Sequence, residues 1–285
     1  MGRRIQLLPN LITLGNAFCG LLALAKAIDA LTLSHSTPIV FYQKMEAACF
    51  LVFLGMVFDS LDGFVARLIR SESAFGAQLD SFSDALTFGV VPAILTKILV
   101  ERDGGFSPGT GNARLHFVAC AIFSLMAILR LVRFNLEPEE EDKHAGFRGL
   151  PSPAAAGTVA ATIWLYLILR RPELEADEGT PTPLRRVLHW METVEWAPIL
   201  DWVPVALIAL LPILGFLMVS NVRYVHAVSF LSARGQFLTL VGLVFAIVLF
   251  FLAPVPFLFL FSVGFTSSGL LFPLVARFRR SRRAT

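Results

Sequence analysis

Long apolar stretches fill the chain, and short polar segments separate them. Runs of about 20 apolar residues have the length that a helix needs to cross a bilayer. The pattern therefore predicts an all-α, polytopic helical membrane protein with about eight transmembrane helices. The predicted helices cover 11–33, 40–70, 76–100, 115–134, 154–169, 202–220, 236–252 and 255–275.

Two local features refine this pattern. Pro92 lies inside the third predicted helix, where a missing backbone N–H is expected to kink the helix. Small residues at 154–157 begin the fifth predicted helix, and small residues allow helices to pack closely in a membrane. These residues therefore suit close packing of this helix against a neighbour.

Composition supports the membrane class and limits the partners. The chain is 56% hydrophobic and only 16% charged, whereas a soluble domain has about 25% charged residues. Nothing basic or aromatic is patterned for reading bases, so no nucleic-acid partner is expected. The net charge is +3, and arginines crowd the two ends, at Arg3, Arg4, Arg277, Arg279, Arg280, Arg282 and Arg283.

The arginine-rich ends also predict the orientation. An even number of crossings places both termini on one side, and clustered arginines favour the cytoplasmic side. The long segment 170–201 departs from this rule, because it carries four arginines on the predicted outer side. It is also acidic, so the predicted orientation stands.

Four aspartates interrupt otherwise apolar sequence, at Asp59, Asp62, Asp80 and Asp84. An ionisable residue at the centre of a membrane helix costs about 2.5–3.5 kcal/mol on insertion scales. Four unpaired carboxylates would be strongly unfavourable, so we expect them to hold cations or to face water.

Helical spacing places these carboxylates on two facing surfaces. Asp59 and Asp62 are three residues apart, and Asp80 and Asp84 are four apart, so each pair shares one helix face. The short connection 69–75 predicts that the two helices are antiparallel neighbours. The four carboxylates are therefore expected to converge near the cytoplasmic interface.

The donor atoms in this cluster are all oxygens, and neither histidine nor cysteine lies nearby in the sequence. Oxygen ligands favour Mg²⁺ or Mn²⁺ over zinc or copper. Four carboxylates would roughly neutralise two divalent cations. Two-metal sites of this kind stabilise the attacking and leaving oxygens of a phosphoryl displacement.

The aspartates belong to a longer motif, D-x2-D-G-x2-A-R-x8-G-x3-D-x3-D. This motif resembles the signature of the CDP-alcohol phosphotransferase family, which implies a six-helix core. The resemblance also implies transfer of a substituted phosphate from a CDP-linked donor to an alcohol, with release of CMP. The matching residues are Asp59, Asp62, Gly63, Ala66, Arg67, Gly76, Asp80 and Asp84.

Further stretches resemble the members of this family that use L-serine. They are residues 9–16 (PNLITLGN), 133–135 (RFN), 147–153 (FRGLPSP) and, more weakly, 220–224 (SNVRY). This resemblance implies transfer of a phosphatidyl group from CDP-diacylglycerol to L-serine, giving phosphatidylserine. It also implies a homodimer.

The resemblance assigns roles by position. Asp59, Asp62 and Asp80 would bind a first divalent cation, and Asp59, Asp80 and Asp84 a second one. Asp84 would also accept the proton of the serine hydroxyl. The CDP pocket would be lined by Asn10, Thr13, Asp62, Gly63, Ala66, Arg67, Ser73 and Gly76.

Arg130, Arg133 and Asn135 are candidates for holding the serine carboxylate or the lipid phosphate. The reason is that two arginines lie one turn apart at a predicted cytoplasmic helix end. The alternative role of the two arginines is to anchor the helix at the membrane surface.

Other functions remain open at this point. The motif is shared by family members that use glycerol phosphate, inositol, choline or an archaeal-type lipid donor. An intramembrane prenyltransferase also has aspartate-rich metal sites, but those sites lack the Gly-x2-Ala-Arg continuation. A cation transporter would distribute polar residues along a path across several helices, whereas these acids concentrate in one helix pair.

The expected organisation has four parts. Residues 1–10 form an interfacial N-terminal segment, and 11–220 form the catalytic transmembrane core. Residues 221–275 add further transmembrane helices, and 276–285 form a basic cytoplasmic tail. We expect a bacterial inner-membrane protein with its active site at the cytoplasmic face.

Overall fold

The computed structural model describes residues 7–33, 38–68, 73–104, 112–136, 147–170, 197–224 and 236–281. A π-helical segment, Ala85–Val90, joins α3 (Ala74–Asp84) to α4 (Val91–Asp103), and two short strands, β1 (Phe147–Arg148) and β2 (Arg223–Tyr224), pair antiparallel. The helices are α1 (Leu7–Leu33), α2 (Pro38–Leu68), α3 (Ala74–Asp84), α4 (Val91–Asp103), α5 (Asn112–Leu136), α6 (Ser152–Arg170), α7 (Ala197–Leu200), α8 (Val203–Val219), α9 (Gln236–Leu252) and α10 (Pro254–Ser281).

The predicted fold class is confirmed. Within the described ranges, six helical spans are long and apolar enough to cross a membrane. Two shorter apolar helices follow, at Phe237–Leu252 and Pro254–Gly269. They coincide with the last two predicted crossings, which stay predictions because these apolar segments are shorter.

Several helix bounds differ from the sequence prediction. The first helix begins at Leu7 instead of residue 11, so Pro9 lies in its first turn, where the missing N–H costs no helical hydrogen bond. The predicted loop 101–114 is shorter than expected, because α4 continues to Asp103 and α5 begins at Asn112. Predictions for residues 1–6, for segment 171–196 and for the terminal arginine side chains fall outside the described residues.

The expected irregularity at Pro92 takes the form of a π-helical segment. The N–H of Val91 donates to the carbonyl oxygen of Leu86, five residues earlier. Pro92 follows at once and has no N–H to donate, so the widened turn lies directly before it. The span 74–103 thus contains its irregular turn immediately after Asp84.

The helices pack around one apolar core. The most extensive packing joins α1 and α2, where Ala23, Ala27 and Ala30 are fully buried on α1. The small residues of α6 behave as expected, because Ala155, Ala156 and other residues of this helix are buried between its neighbours.

A short backbone junction links α6 to the end of α8. Gly149 has φ +78° and donates its N–H to the carbonyl oxygen of Val222, 2.8 Å away. Leu150 donates to Leu217 at 3.0 Å, beside the β1–β2 pair. This junction fixes the point at which the chain enters α6 at Ser152.

Helix α10 docks on α6 through buried polar groups. The hydroxyls of Thr158 and Thr266 lie 2.8 Å apart, and Thr158 also donates to the carbonyl oxygen of Ser262 at 3.3 Å. The Tyr224 hydroxyl donates to the carbonyl oxygen of Thr266 at 3.3 Å. The last helix is therefore fastened both to α6 and to β2.

Candidate active site

Three of the four motif aspartates form a compact cluster. One carboxylate oxygen from each of Asp59, Asp62 and Asp80 lies within 4.8 Å of the others. Asp62 is buried, and the other two are half-buried. Asp62 Oδ2 and Asp80 Oδ1 are buried without a hydrogen-bond partner among the described residues. Unsatisfied, converging carboxylate oxygens are the donor set expected for a hard divalent cation, so these residues fit one.

Helix α1 packs against α3, the helix that carries Asp80 and Asp84. The carboxylates of α2 and α3 converge as predicted, but α3 packs mainly against α1. The two helices, predicted as antiparallel neighbours, meet at these carboxylates, while their backbones make few close contacts with each other. A cleft between them leaves room for a ligand next to the carboxylates.

Asp84 lies one turn beyond Asp80 and is buried. Its Oδ1 accepts a hydrogen bond from Asn16 Nδ2 on α1, at 3.0 Å. Asp59 and Asp84 are close enough for their carboxylates to interact electrostatically. Asp84 thus adjoins the three-aspartate cluster through Asp59 and is held by α1 on its other side.

A cavity of about 200 Å³ opens beside the cluster. It is bounded by α1, by the last turns of α2 and by the start of α3. Seven of the eight residues predicted to line the CDP pocket are found in its wall, the exception being Arg67. The lining comprises Pro9, Asn10, Thr13, Asp62, Gly63, Ala66, Ser73, Gly76, Ala77 and Asp80.

The cavity presents groups suited to a phosphate-bearing ligand. Ser73 caps α3, its hydroxyl accepting from the N–H of Gly76 at 2.9 Å. The start of a helix attracts anions through its exposed N–H groups and dipole. Asn10 is buried, and its Nδ2 has no hydrogen-bond partner among the described residues. An unmatched donor beside a helix start favours an anionic or carbonyl-bearing ligand.

The two motif glycines differ in their surroundings. A Cβ at Gly76 would lie 3.1 Å from both Asn10 Oδ1 and Ser73 Oγ, so this glycine allows α1 and α3 to approach. A Cβ at Gly63 would meet nothing within 4 Å, so it would project into open space at the cavity wall. Gly63 is therefore not required for packing.

Arg67 is exposed and lies one turn beyond Gly63. Its Nε donates to the carbonyl oxygen of Gly63 at 3.0 Å. This bond folds the side chain along α2, next to the cavity wall.

The three candidate residues for the acceptor diverge in the structure. Arg130 interacts electrostatically with Asp84 and Asp59, and its NH1 donates to Ser152 Oγ at 2.9 Å. Its Nε is buried with no hydrogen-bond partner in the described part of the chain. Arg130 is therefore adjacent to the aspartates and has donor capacity left.

Arg133 and Asn135 point elsewhere. Arg133 donates to the carbonyl oxygen of Val219 and to Asn221 Oδ1, both at 3.1 Å, at the end of α8. Asn135 Nδ2 donates to Ser81 Oγ at 2.8 Å, which joins α5 to α3. These contacts also fit a supporting role for both residues.

Two contact residues had no role assigned from the sequence. Asn16 and Ser152 lie in the quoted stretches 9–16 and 147–153, which marked them only as parts of a likeness. The structure connects Asn16 to Asp84 and Ser152 to Arg130. The sequence did contain one signal for Asn16. Asn10, Thr13 and Asn16 are polar residues spaced three apart on one apolar helix.

Comparison with known proteins agrees with this site. The sequence model of the CDP-alcohol phosphatidyltransferase family matches residues 6–197. A CDP-diacylglycerol–serine O-phosphatidyltransferase of Helicobacter pylori (strain J99) is 30% identical over 220 residues, which cover 77% of this chain and 72% of the relative.

Two further relatives match shorter parts of the chain. The Bacillus subtilis protein of the same name is 34% identical over 160 residues, 56% of this chain and 76% of the relative. An archaetidylserine synthase of Methanothermobacter thermautotrophicus is 34% identical over 156 residues, 54% of this chain and 56% of the relative. Since the family match covers well over half of the chain, including the whole aspartate motif, this protein belongs to the CDP-alcohol phosphatidyltransferase family.

Proposed function

We propose that the protein transfers the phosphatidyl group of CDP-diacylglycerol to the hydroxyl of L-serine, giving phosphatidylserine and CMP. The observation that carries the donor half is the convergence of Asp59, Asp62 and Asp80 beside a cavity with a helix start in its wall. The acceptor half is supported by relatives whose names specify serine.

The cavity is proposed to hold the CDP part of the donor. Three elements form its walls. They contribute Asn10 and Thr13 on α1, Gly63 and Ala66 on α2, and Ser73 before α3. Gly63 leaves the α2 backbone accessible, so a nucleotide can lie against the helix.

Arg67 and Gly76 complete the proposed donor site. The Arg67 guanidinium offsets the negative charge of the pyrophosphate with the nitrogens that it does not use on Gly63. Gly76 lies in the first turn of α3; its own N–H is bonded to Ser73 Oγ, and the positive end of the helix dipole there attracts phosphate oxygens.

The family uses divalent cations, and the donor atoms here suit Mg²⁺ or Mn²⁺. We propose that Asp59, Asp62 and Asp80 hold one cation and that Asp59, Asp80 and Asp84 hold a second. Bound cations would supply Lewis-acid stabilisation of the charge that develops on the pyrophosphate oxygens.

The protein's own groups carry the remaining steps. Asp84 accepts the proton of the serine hydroxyl, and the serine oxygen forms a bond to the phosphorus that bears diacylglycerol. The bond from that phosphorus to the CMP oxygen breaks, and its electron pair leaves with CMP. Burial of Asp84 excludes bulk water from the attacking oxygen, which limits hydrolysis of the donor.

The acceptor is proposed to bind next to Arg130. This guanidinium lies near Asp84 and Asp59 and keeps a buried Nε–H available for a carboxylate or phosphate oxygen. Arg133 and Asn135 are proposed to assist from the same end of α5, although their contacts with α8 and α3 also fit a supporting role.

We further propose the cellular arrangement. The aspartates lie near one end of the α2–α3 pair, the end that the arginine distribution assigns to the cytoplasm. The protein would be a homodimer in a bacterial inner membrane. Residues 11–220 would form the catalytic core, and 221–275 the added helices.

Purified protein with CDP-diacylglycerol, Mn²⁺ and a panel of labelled alcohols tests this function. We expect labelled phosphatidylserine and CMP in equal amounts with L-serine, and little lipid product with glycerol phosphate, inositol or choline. A preference for another alcohol would overturn the assignment of serine as acceptor and would leave the proposed transfer from a CDP-linked donor in place. The archaetidylserine synthase among the relatives makes an archaeal-type CDP-linked lipid a useful second donor in the panel.

A further inference from the structure

We infer that Asn16 is a positioning residue, which fixes one oxygen of the Asp84 carboxylate and thereby orients the other one. This inference rests on the proposed function, in which Asp84 accepts the proton of the acceptor alcohol. It concerns the direction of the carboxylate and adds a residue of α1 to the active site.

The hydrogen bond between the two side chains is well defined. Asn16 is fully buried in α1, and its Nδ2 lies 3.0 Å from Asp84 Oδ1. An ionised carboxylate only accepts hydrogen bonds, so the NH₂ group of the amide must be the part that faces it. One oxygen of Asp84 is thus occupied by a neutral donor that carries no competing charge.

A second bond ties the same residue to the chain just after Asp84. Thr87 Oγ1 donates to the backbone carbonyl oxygen of Asn16 at 3.1 Å, and this contact is also buried. Thr87 belongs to the π-helical segment Ala85–Val90, three positions after Asp84. Asn16 therefore holds both the Asp84 side chain and the backbone turn that follows it.

Glycines allow this close arrangement and restrict its movement. A Cβ at Gly55 would lie 2.8 Å from Thr87 Cγ2 and 3.0 Å from Asn16 Oδ1. A Cβ at Gly20 would lie 2.5 Å from Thr87 Oγ1. Gly20 on α1 and Gly55 on α2 thus allow Thr87 to pack closely, and Gly55 also lies against Asn16. This packing leaves the Asn16 amide little room to rotate.

The Oδ1 atom of Asn16 shows whether this residue serves to position Asp84 or only to fill space. Asn16 Oδ1 is buried and has no hydrogen-bond partner among the residues that the structure describes. An unsatisfied buried carbonyl is unfavourable, and an apolar side chain of the same size would fill the space without it. The amide is best explained by the bond that its NH₂ group makes to Asp84.

The test compares Asn16→Leu and Asn16→Asp with the wild type. Asn16→Leu keeps roughly the size of the side chain and removes the donor, whereas Asn16→Asp keeps the size and places a second acidic group against Asp84 in place of the neutral amide. We expect kcat to fall about 10- to 100-fold, as for residues that orient a ligand of a metal site. The KM for CDP-diacylglycerol is expected to stay within about twofold, because no cavity-lining residue changes.

A matched control separates this effect from loss of any buried polar group. Thr96 is also buried, and its hydroxyl donates to the carbonyl oxygen of Pro92 within its own helix, at 2.8 Å. We expect Thr96→Val to keep kcat within about twofold of the wild type. The inference is overturned if both Asn16 variants keep kcat within about threefold, or if the donor KM rises in proportion to the loss of kcat.

A measurement that does not depend on turnover tests the role of Asn16 separately from the proposed function. Mn²⁺ titration followed by electron paramagnetic resonance should show weaker binding in Asn16→Leu than in Thr96→Val, because Asp84 loses its fixed direction. Unchanged Mn²⁺ binding together with unchanged kcat contradicts the positioning role. By contrast, a wild type that releases no CMP with any alcohol contradicts the proposed function itself.

Discussion

At the scale of single residues, the carboxylates are not equivalent. Asp59, Asp62 and Asp80 share a cluster with unsatisfied oxygens, whereas Asp84 adjoins it and accepts a hydrogen bond from α1. A base needs a fixed direction toward its substrate, and a hydrogen-bonded carboxylate has one. This difference distinguishes Asp84, which is proposed to accept a proton as well as to hold a cation, from the three aspartates that are proposed only to hold cations.

Asp84→Asn is expected to lower kcat about 10²- to 10⁴-fold, since an amide cannot accept the proton. The amide oxygen can still accept the bond from Asn16, so the fold should be kept. CMP release measures the turnover, and binding of labelled CDP-diacylglycerol measures the donor site. The control is Asp29→Asn, which removes a partly exposed carboxylate paired with Lys44. Wild-type turnover in Asp84→Asn would refute the base assignment.

Gly63→Ala separates binding from stability. The added Cβ meets open space, and alanine is the better helix former, so the melting temperature should not fall. The methyl group enters the cavity wall, so we expect the KM for CDP-diacylglycerol to rise about tenfold, the equivalent of about 1.4 kcal/mol.

Gly264→Ala is the matched control for this change. Gly264 is also helical with no atom within 4 Å of an added Cβ, and it lies in α10 away from the cavity. Its donor KM should equal that of the wild type. If the two variants have the same KM, Gly63 does not contact the donor.

At the scale of elements, the junction of β1, β2 and α8 positions the start of α6. Gly149 has a positive φ, and a Cβ there would lie 2.3 Å from the carbonyl oxygen of Met218. The same junction leads to Ser152, which accepts from Arg130. A backbone turn outside the aspartate cluster therefore helps to place the Arg130 guanidinium near Asp84 and Asp59.

Gly149→Ala should lower both the melting temperature and kcat, because an L side chain is strained at this φ and collides with the end of α8. Displacement of Ser152 should release Arg130, so the KM for serine should rise as well. Gly104 has an ordinary φ of −84°, which makes Gly104→Ala the conformational control. Equal stability of the two alanine variants would contradict the strain at Gly149.

At the scale of the whole molecule, the site depends on elements that are distant in the chain. Helices α1, α2 and α3 bound the cavity, and α5 brings Arg130 to the aspartates. Helix α10 braces this arrangement from behind, through Thr158 on α6 and Tyr224 on β2. Helix α10, which lies beyond the family match at residues 6–197, is thus joined to the core by hydrogen bonds.

Removal of divalent cations is expected to stop CMP release, and Mn²⁺ should restore it. Without cations the charges of the clustered carboxylates and the pyrophosphate repel one another, and no Lewis acid stabilises the leaving group. Asp62→Asn should raise the Mn²⁺ concentration that gives half-maximal rate by about tenfold. Turnover that is insensitive to a chelator would discard the metal-dependent mechanism.

The sequence alone was sufficient for the membrane class, the approximate positions of the helices and the aspartate motif. Hydrophobic length depends on local composition, and the face of a helix depends on spacing of three and four residues, so both can be derived without a tertiary structure. The pairing of Asp59 with Asp62 and of Asp80 with Asp84 belongs to this category. The family followed from the same motif and is confirmed by the match over residues 6–197.

Only the tertiary structure decided which distant side chains meet. The bond from Asn16 to Asp84, the separation of Arg130 from Arg133 and the cleft between α2 and α3 all depend on how helices pack. Such contacts join residues far apart in the chain, and the periodicity of a local segment cannot predict them. The sequence by itself therefore determined which residues are chemically costly, and packing determined how each of them is held.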